Sequence, residues 1–307
     1  MKYTTRLLPF LMLVPFFTLS AKVLQASFYV SPTGNDDGPG TMSVPFKTIQ
    51  KAQEVVRQIN SSMNGDIYIY LRGGTYYLDS TLVFRKKDSG TNGFNVIYKA
   101  FKNEKPVISG GKKLTGTWMQ HSGNIYKAEY DYSKKLRSLY VNGKYCKMTE
   151  GTFVQGQGNS ETFNISGNEP WAITNGSCAA DIKFRSSDFG TYINPDEIEL
   201  VSDISARGVW TQQRICVKSI KKSGNHHIVE MQQPSFAFTQ SLIWTCGRGP
   251  KYKWKAVNVF ELLDSTGEFY FDRTAKTLYY YTSGNEDMND AEVIAPVLEK
   301  VIDISGE

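Results

Sequence analysis

Histidine is scarce in this sequence, and the few histidines and cysteines lack the spacing of a metal or redox site. The three histidines are His121 and the adjacent pair His226 and His227. No CxxC pair, serine-nucleophile motif, phosphate-binding glycine loop or dinucleotide fingerprint is present. The triplet Asn35-Asp36-Asp37 offers oxygen ligands, but it lacks the spaced pattern of a calcium loop and is typical of a turn. We therefore expect no cofactor and no metal.

Cysteine is absent from the first part of the chain and sparse in the rest. The four cysteines are Cys146, Cys178, Cys216 and Cys246. An oxidising compartment would allow disulfides, and four cysteines permit three connectivities. A chain of this size can also bury free thiols, so the sequence assigns no pairing.

Long apolar runs are missing after residue 26, so no later segment is expected to span a membrane. At the start, Lys2 and Arg6 precede the apolar stretch 7–19, which is short and interrupted by proline. This pattern predicts a secretory signal peptide cleaved after Ala21 or Ala26, with an uncleaved anchor as the alternative. We expect a secreted or periplasmic protein that is a monomer.

The excess of positive charge largely disappears with the leader. The whole sequence has a formal net charge of +5, but residues 1–26 contain Lys2, Arg6 and Lys22 and no acid, which leaves +2. A net charge this close to zero does not indicate a nucleic-acid partner.

Aromatic residues are abundant, with 18 Tyr, 17 Phe and 5 Trp, and they favour β structure. A short strand at 28–30 is followed by a run of turn residues at 31–40 and an amphipathic helix at 48–59. The segment 66–72 then begins a series of strands. A helix that covers one end of stacked strands is typical of the start of a right-handed parallel β-helix.

Similar strands recur at similar offsets, which indicates two successive coils. Ile67 and Asn95 begin one pair of like strands, and Leu82 and Ile108 lie in another. The segment 301–304 could form a third coil. The region between reads as short alternating strands with an Asn142-Gly143 hairpin turn, and 151–176 reads as a long polar loop.

The predicted fold is thus mostly β: the start of a right-handed parallel β-helix with an N-terminal capping helix and an inserted, largely antiparallel β domain. We expect four segments. They are a signal peptide (1–26), the N-terminal cap and first coils (27–111), the inserted domain (112–290) and a return to the β-helix (291–307).

The opening segment 28–57, with YVSPTGND and PFKTIQKA, resembles the start of secreted bacterial β-helix proteins of carbohydrate metabolism. Together with segments 137–144, 258–281 and 292–304, it is similar to β-helix enzymes of glycoside hydrolase family 141. The resemblance implies a glycosidase acting on plant cell-wall or similar polysaccharides. It also implies catalytic carboxylates on later coils, so we expect this chain to be an N-terminal portion that is inactive alone.

Candidate site residues are few. Glycoside hydrolysis needs two facing carboxyl groups, and the cluster Glu261, Asp264, Glu268 and Asp272 reads as turn and surface residues, so the catalytic residues stay unknown. Tryptophan side chains can stack on sugar rings when they are exposed. Trp210 is predicted to be a core residue instead, because it lies in an alternating strand. The predicted substrate-binding residues are Trp171, Trp244 and Trp254.

Two other functions remain open from the sequence. A polysaccharide lyase on the same scaffold would use a basic residue to remove a proton from an acidic sugar. A non-catalytic glycan-binding or adhesin module would bind the polysaccharide without cleaving it.

Overall fold

The computed structural model describes residues 26–156, 162–165, 176–203, 212–242 and 253–306. These segments are mostly β, as predicted, with two α-helices, α1 (Ile49–Ile59) and α2 (Ser235–Leu242). The predicted signal peptide lies outside the described residues. The strands, in chain order, are β1 (Ser27–Val30), β2 (Ile67–Leu71), β3 (Gly74–Tyr77), β4 (Leu82–Phe84), β5 (Val96–Ala100), β6 (Pro106–Ser109), β7 (Gly111–Lys113), β8 (Met119–Ser122), β9 (Ile125–Glu129), β10 (Leu139–Val141), β11 (Lys144–Met148), β12 (Glu150–Val154), β13 (Thr162–Ile165), β14 (Gly176–Ala179), β15 (Asp181–Arg185), β16 (Glu199–Asp203), β17 (Gln212–Ser223), β18 (His226–Met231), β19 (Lys253–Val257), β20 (Glu268–Asp272), β21 (Thr277–Tyr281), β22 (Val293–Pro296) and β23 (Ile302–Ile304).

The chain divides into two compact units. The first comprises Met1–Gly110 with Leu298–Glu307, and the second is Gly111–Val297. Strand β22 belongs to the second unit, where it pairs with β10 and β7. The sequence prediction had placed this strand in the returning segment 291–307.

Strands of the first unit pair in parallel. Strands β1, β2 and β5 form one sheet, while β3 pairs with β6 and β4 with β23. The observed register differs from the predicted one: Ile67 lies opposite Val96 rather than Asn95, and Leu82 lies opposite Ile302 rather than Ile108. Because side chains alternate along a strand, a shift of one residue exchanges its two faces. The observed register places Val96 and Tyr98 of β5 on the same inward face as Ile67 and Ile69 of β2.

Helix α1 begins one residue later than predicted, because Thr48 is its N-cap and accepts a hydrogen bond from the Lys51 backbone N–H. Its apolar face, with Ile49, Ala52 and Val56, is buried. This face belongs to the same core as the inward residues of β1 and β2. An amphipathic helix gains most of its stability from such packing.

The second unit is mainly antiparallel. One sheet has eight strands in the order β7-β22-β10-β11-β20-β21-β9-β8, and another has six in the order β12-β19-β16-β17-β18-β15. The predicted hairpin turn is present, with φ of 50° at Asn142 and 73° at Gly143. Strands β12 and β13 lie within the segment predicted as a long loop, which corrects that prediction. Helix α2 was also not predicted.

Candidate functional site

The outward face of the sheet β1-β2-β5 carries a continuous set of aromatic and cationic side chains. In β2 the aliphatic residues Ile67, Ile69 and Leu71 are buried, so the intervening tyrosines point outward and are only half-buried. The parallel register places equivalent residues of the three strands in rows. We call this surface the aromatic strip: Tyr29, Tyr68, Tyr70, Arg72, Lys99, Phe101 and Lys102.

The three tyrosines of the strip form a column. The rings of Tyr29 and Tyr70 stack with centroids 5.2 Å apart and an interplanar angle of 25°. Tyr68 and Tyr70 stack at 5.9 Å and 11°. The first spacing is close to the separation of about 4.8 Å between neighbouring strands. The sheet register therefore sets the spacing of the rings.

Phe101 closes one end of this column. Its ring meets Tyr29 and Tyr70 edge-on, with centroids 5.5 and 5.9 Å away. Edge-to-face pairs of this kind are favourable because the positive edge of one ring faces the negative face of the other. The rings are thus packed against one another.

Cations surround the rings. The guanidinium carbon of Arg72 lies 5.0 Å from the Phe101 centroid, and the Lys102 ammonium nitrogen lies 5.1 Å from it. The Lys99 ammonium nitrogen lies 5.8 Å from the Tyr70 centroid and 6.0 Å from that of Tyr68. Such cation–π contacts stabilise by about 0.5–1 kcal/mol when exposed. They hold the ammonium groups beside the rings and leave them accessible to solvent.

The carboxylates close to the strip already have partners. Glu104 accepts hydrogen bonds from the Arg72 guanidinium at 2.9 Å and from the Gly73 backbone N–H at 2.6 Å. The hydrogen bond from Arg72 lowers the pKa of Glu104. Asp66 accepts the Asn95 backbone N–H at 2.8 Å. Lys99 and Lys102, by contrast, form no ion pair within the described residues.

Of the three predicted substrate-binding tryptophans, Trp254 lies within the described residues. Trp171 and Trp244 lie outside the described residues. Trp254 is 1% exposed and donates a hydrogen bond from its indole nitrogen to Oε1 of Gln155 at 3.0 Å. Stacking on a sugar needs an exposed ring face, so the prediction for Trp254 is corrected: its indole is part of a core.

Two buried carboxylates of the second unit are neutralised by arginine. Glu197 accepts hydrogen bonds from Arg273, and Glu199 accepts them from Arg137 and Arg214. Such pairs are typical of structural networks rather than of a general acid facing a substrate.

Glu268 differs from these buried carboxylates. It is 6% exposed, and burial raises the pKa of its carboxyl group. Among the described residues no arginine pairs with it, and its Oε2, like that of Glu197, has no hydrogen-bond partner. A raised pKa suits a general acid, but hydrolysis also needs a second carboxyl group across the substrate.

The first unit also has an apolar cavity. A cavity of about 350 Å³ is lined mainly by aliphatic and aromatic side chains, with Asp88 as its charged residue. The Asp88 carboxylate is held by Arg57 at 2.6 and 3.0 Å. Burial acts to raise the pKa of Asp88, but its hydrogen bonds outweigh this and lower it. The cavity thus lacks a free charged group.

The remaining sequence candidates have structural roles. The Asp36 carboxylate accepts the backbone N–H groups of Lys47 and Thr48 at 2.8 and 2.9 Å, immediately before α1. Asn35 accepts the Asp37 backbone N–H, so the triplet forms the predicted self-bonded turn. No group of metal-ligating residues occurs within the described part of the chain.

The histidines and three of the four cysteines lie within the described residues. His226 and His227 lie in strand β18 rather than in the preceding turn. Cys146 and Cys216 are free thiols, whereas Cys178 is disulfide-bonded. Cys246 lies outside the described residues. None of the described helices is long and apolar enough to cross a membrane.

Comparisons with known proteins give partial matches. No family model matches the chain. It is 38% identical over 102 residues to the pectate lyase PEL9 of Emericella nidulans, which covers 33% of this chain and 22% of that protein. It is also 38% identical over 82 residues to the Bacillus subtilis protein YwoF, covering 27% and 15% of the two chains.

A solved structure shares the fold more extensively. The chain is similar to a structure described as a glycoside hydrolase, with a TM-score of 0.68 and 24% sequence identity. The match covers 92% of this chain and 48% of the other. The chain therefore spans about half the length of that structure and a smaller part of the curated relatives.

Proposed function

We propose that this chain is part of a secreted polysaccharide-degrading protein, and that its first unit begins a right-handed parallel β-helix. Three sets of parallel strand pairs and a helix packed on the same core support the β-helix. The likeness to a glycoside hydrolase structure and the aligned segment of a pectate lyase support action on a polysaccharide. The glycoside hydrolase family 141 resemblance belongs to the same proposal.

The observation that carries the proposal is the aromatic strip. A polysaccharide presents an apolar C–H surface together with many hydroxyl groups, and tyrosine complements both because it has an apolar ring and a polar tip. The column formed by Tyr29, Tyr70 and Tyr68 provides this combination over several ring widths. A solenoid groove or face that is long and repetitive suits a long polymer.

We further propose that the described residues bind the polysaccharide without cleaving it. The buried carboxylates Glu197 and Glu199 are held by arginine, and the side chain of Glu268 is 6% exposed. A catalytic pair would then come from a segment other than those described.

A lyase is the second candidate, because the aligned relative is a pectate lyase. It differs from a hydrolase in its product: elimination creates a carbon–carbon double bond that absorbs ultraviolet light, whereas hydrolysis does not. Measuring reducing ends and ultraviolet absorbance on the same digest separates the two reactions. Either product from the purified chain would overturn the proposal that it binds without cleavage.

Affinity electrophoresis tests the binding itself. The purified chain is run through gels that contain polygalacturonate, xylan or galactan, and we expect at least one polymer to retard it. Tyr70→Ala should abolish the retardation, because it removes the central ring of the column. The control is Tyr145→Ala, which removes a tyrosine that is 61% exposed in strand β11 of the second unit.

Three results would contradict the proposal. These are free migration in every polymer, a loss caused equally by Tyr145→Ala, or full retention by Tyr70→Ala. Tyr70→Phe keeps the stacked ring and guards against misfolding of the alanine variant. It should retain most of the retardation while far-UV circular dichroism shows that the fold is intact.

A further inference from the structure

We infer that the aromatic strip binds an anionic polysaccharide, one whose sugar units carry carboxylate or sulfate groups. This inference rests on the proposed function, and it adds the chemical class of the ligand. It follows from the charges of the outward face rather than from its aromatic rings.

The outward positions of the sheet contain cations and hydroxyl groups but no carboxylate. The strand register aligns these positions in rows across the three strands. Beyond the strand ends the alignment continues, because the Arg72 backbone N–H donates to the Val30 carbonyl and the Phe101 backbone N–H donates to the Leu71 carbonyl. The nine residues are Ser27, Tyr29, Ser31, Tyr68, Tyr70, Arg72, Ile97, Lys99 and Phe101. A site for a neutral glycan usually mixes hydrogen-bond donors with carboxylate or amide acceptors, and this face has no such acceptor.

Two of the cations are available to a ligand. Lys99 and Lys102 are exposed, and neither forms an ion pair with a carboxylate within the described residues. Arg72 is different, because Glu104 neutralises it at 2.9 Å. The cations of the strip that form no ion pair are therefore the two lysines. An anion that pairs with them adds attraction without displacing a bond already formed.

The neighbouring acids form no ion pair with the two lysines, although the attraction between Lys102 and Glu104 contributes to the lowered pKa of Glu104. Glu104 is engaged by Arg72 and by the backbone of Gly73. Asp66 accepts the Asn95 backbone N–H, and its second oxygen lies 3.5 Å from the Tyr68 hydroxyl. Both carboxylates thus have local partners, and neither forms an ion pair with Lys99 or Lys102.

Hydrogen-bond donors lie between the lysines and the tyrosine column. The hydroxyl groups of Tyr29 and Tyr70 make no hydrogen bond within the described residues. Their rings are in adjacent positions of one row, and Lys99 follows Tyr70 in the same row. A phenol hydroxyl donates to a carboxylate or sulfate oxygen. Charge-assisted hydrogen bonds of this kind are stronger than neutral ones.

Matched polymers test the inference. Binding of the purified chain to polygalacturonate is compared with binding to the same polymer after full methyl esterification, which removes the charge and keeps the backbone. Dextran sulfate against dextran gives the corresponding pair for sulfate. We expect about tenfold tighter binding of at least one anionic form than of its neutral counterpart. This preference should disappear in about 1 M NaCl, where the Debye length falls to about 3 Å.

Variants assign the preference to the strip. The double variant Lys99→Gln with Lys102→Gln should weaken binding of the anionic polymer about fivefold, as expected for two exposed ion pairs, and leave the neutral form unaffected. Replacing both with arginine should retain the affinity. The control Lys144→Gln removes an exposed lysine of the second unit, beside Tyr145, and should change nothing.

The outcomes separate the two proposals. Equal binding of charged and neutral forms would overturn the anionic preference and leave the proposed polysaccharide binding intact. An anionic preference that Lys144→Gln weakens as much as the double variant would overturn the assignment to the strip. Absence of binding to every polymer would overturn both proposals.

Discussion

Glu199 offers a quantitative test of what stabilises the second unit. It lies in β16 with its side chain 2% exposed, and its carboxylate accepts hydrogen bonds from Arg137 at 2.6 Å and Arg214 at 2.8 Å. Burial acts to raise the pKa of Glu199, but the two arginines outweigh this and lower it. Replacing Glu199 with glutamine keeps the shape and removes the charge that both guanidinium groups require.

The expected cost of Glu199→Gln is about 3 kcal/mol of unfolding free energy. Breaking a buried ion pair costs about 3–5 kcal/mol. The lower end applies here because the side chains of Arg137 and Arg214 are 54% and 35% exposed and can be rehydrated. For a unit of this size, about 3 kcal/mol corresponds to a decrease in Tm of roughly 6–12 °C.

Tryptophan fluorescence can follow this unit selectively in the intact chain, because all five tryptophans lie within Gly111–Val297. Urea unfolding monitored in this way gives the free-energy difference between wild type and variant. The matched control is Glu230→Gln in the same sheet, where the carboxylate pairs with the exposed Lys218. It should cost less than about 1 kcal/mol. Equal effects of the two substitutions would refute the reasoning.

The pH dependence gives an independent check. Because the folded pKa of Glu199 is lowered, its stabilisation is present above the unfolded value of about 4.3 and is lost as pH falls through the folded value. The difference between wild type and Glu199→Gln should therefore be constant from about pH 7 to pH 5 and decrease below about pH 4. A difference that grows on acidification would contradict the assigned pKa shift.

Three further predictions concern single side chains. Trp254→Ala should lower the unfolding free energy by about 3–5 kcal/mol, because it leaves a cavity in a core. Urea unfolding followed by circular dichroism measures this change, and a loss below about 1 kcal/mol would show that the ring is not buried. Asp36→Ala should cost about 1 kcal/mol at the start of α1 and accelerate hydrogen exchange of the Thr48 amide, whereas Asp37→Ala should leave that amide unchanged. Cys146 should resist alkylation at pH 8, because burial raises the pKa of its thiol to about 11 and the thiolate is the reactive form; rapid labelling of Cys146 in the folded chain would contradict this.

Local features of the fold were predictable from the sequence. Helix α1 follows from its apolar spacing. The turn at Asn142-Gly143 follows from residues that tolerate positive φ. Each of these signals acts within a few residues, so the sequence alone contains enough information.

Features that depend on distant contacts were not predictable in the same way. Strand β12 lies in a segment rich in polar residues, and its antiparallel pairing with β19 brings Phe153 opposite Trp254. Tertiary pairing of this kind overrides the local preference for a loop. Helix α2, with Phe236 and Ala237 buried, has no polar face that would reveal its period in the sequence.

The prediction for Trp254 failed for a reason visible in strand β19. In β19, Lys253 and Lys255 are exposed and Trp254 between them is buried. A large apolar residue flanked by lysines on a strand points to the core, because alternate side chains occupy opposite faces. The same alternation in β2 turns Tyr68 and Tyr70 outward, since the aliphatic residues on the opposite face are better suited to burial.

The aromatic strip required the register as well as the alternation. With Asn95 opposite Ile67, as the sequence suggested, Tyr70 would face Tyr98 and Lys99 would point into the core. The observed pairing of Ile67 with Val96 places Lys99 opposite Tyr70 and turns Tyr98 inward. A single residue of register therefore decides whether the sheet presents a cation beside its tyrosine column. For that reason, the ligand preference of this face depends on strand pairing that the sequence spacing alone did not determine.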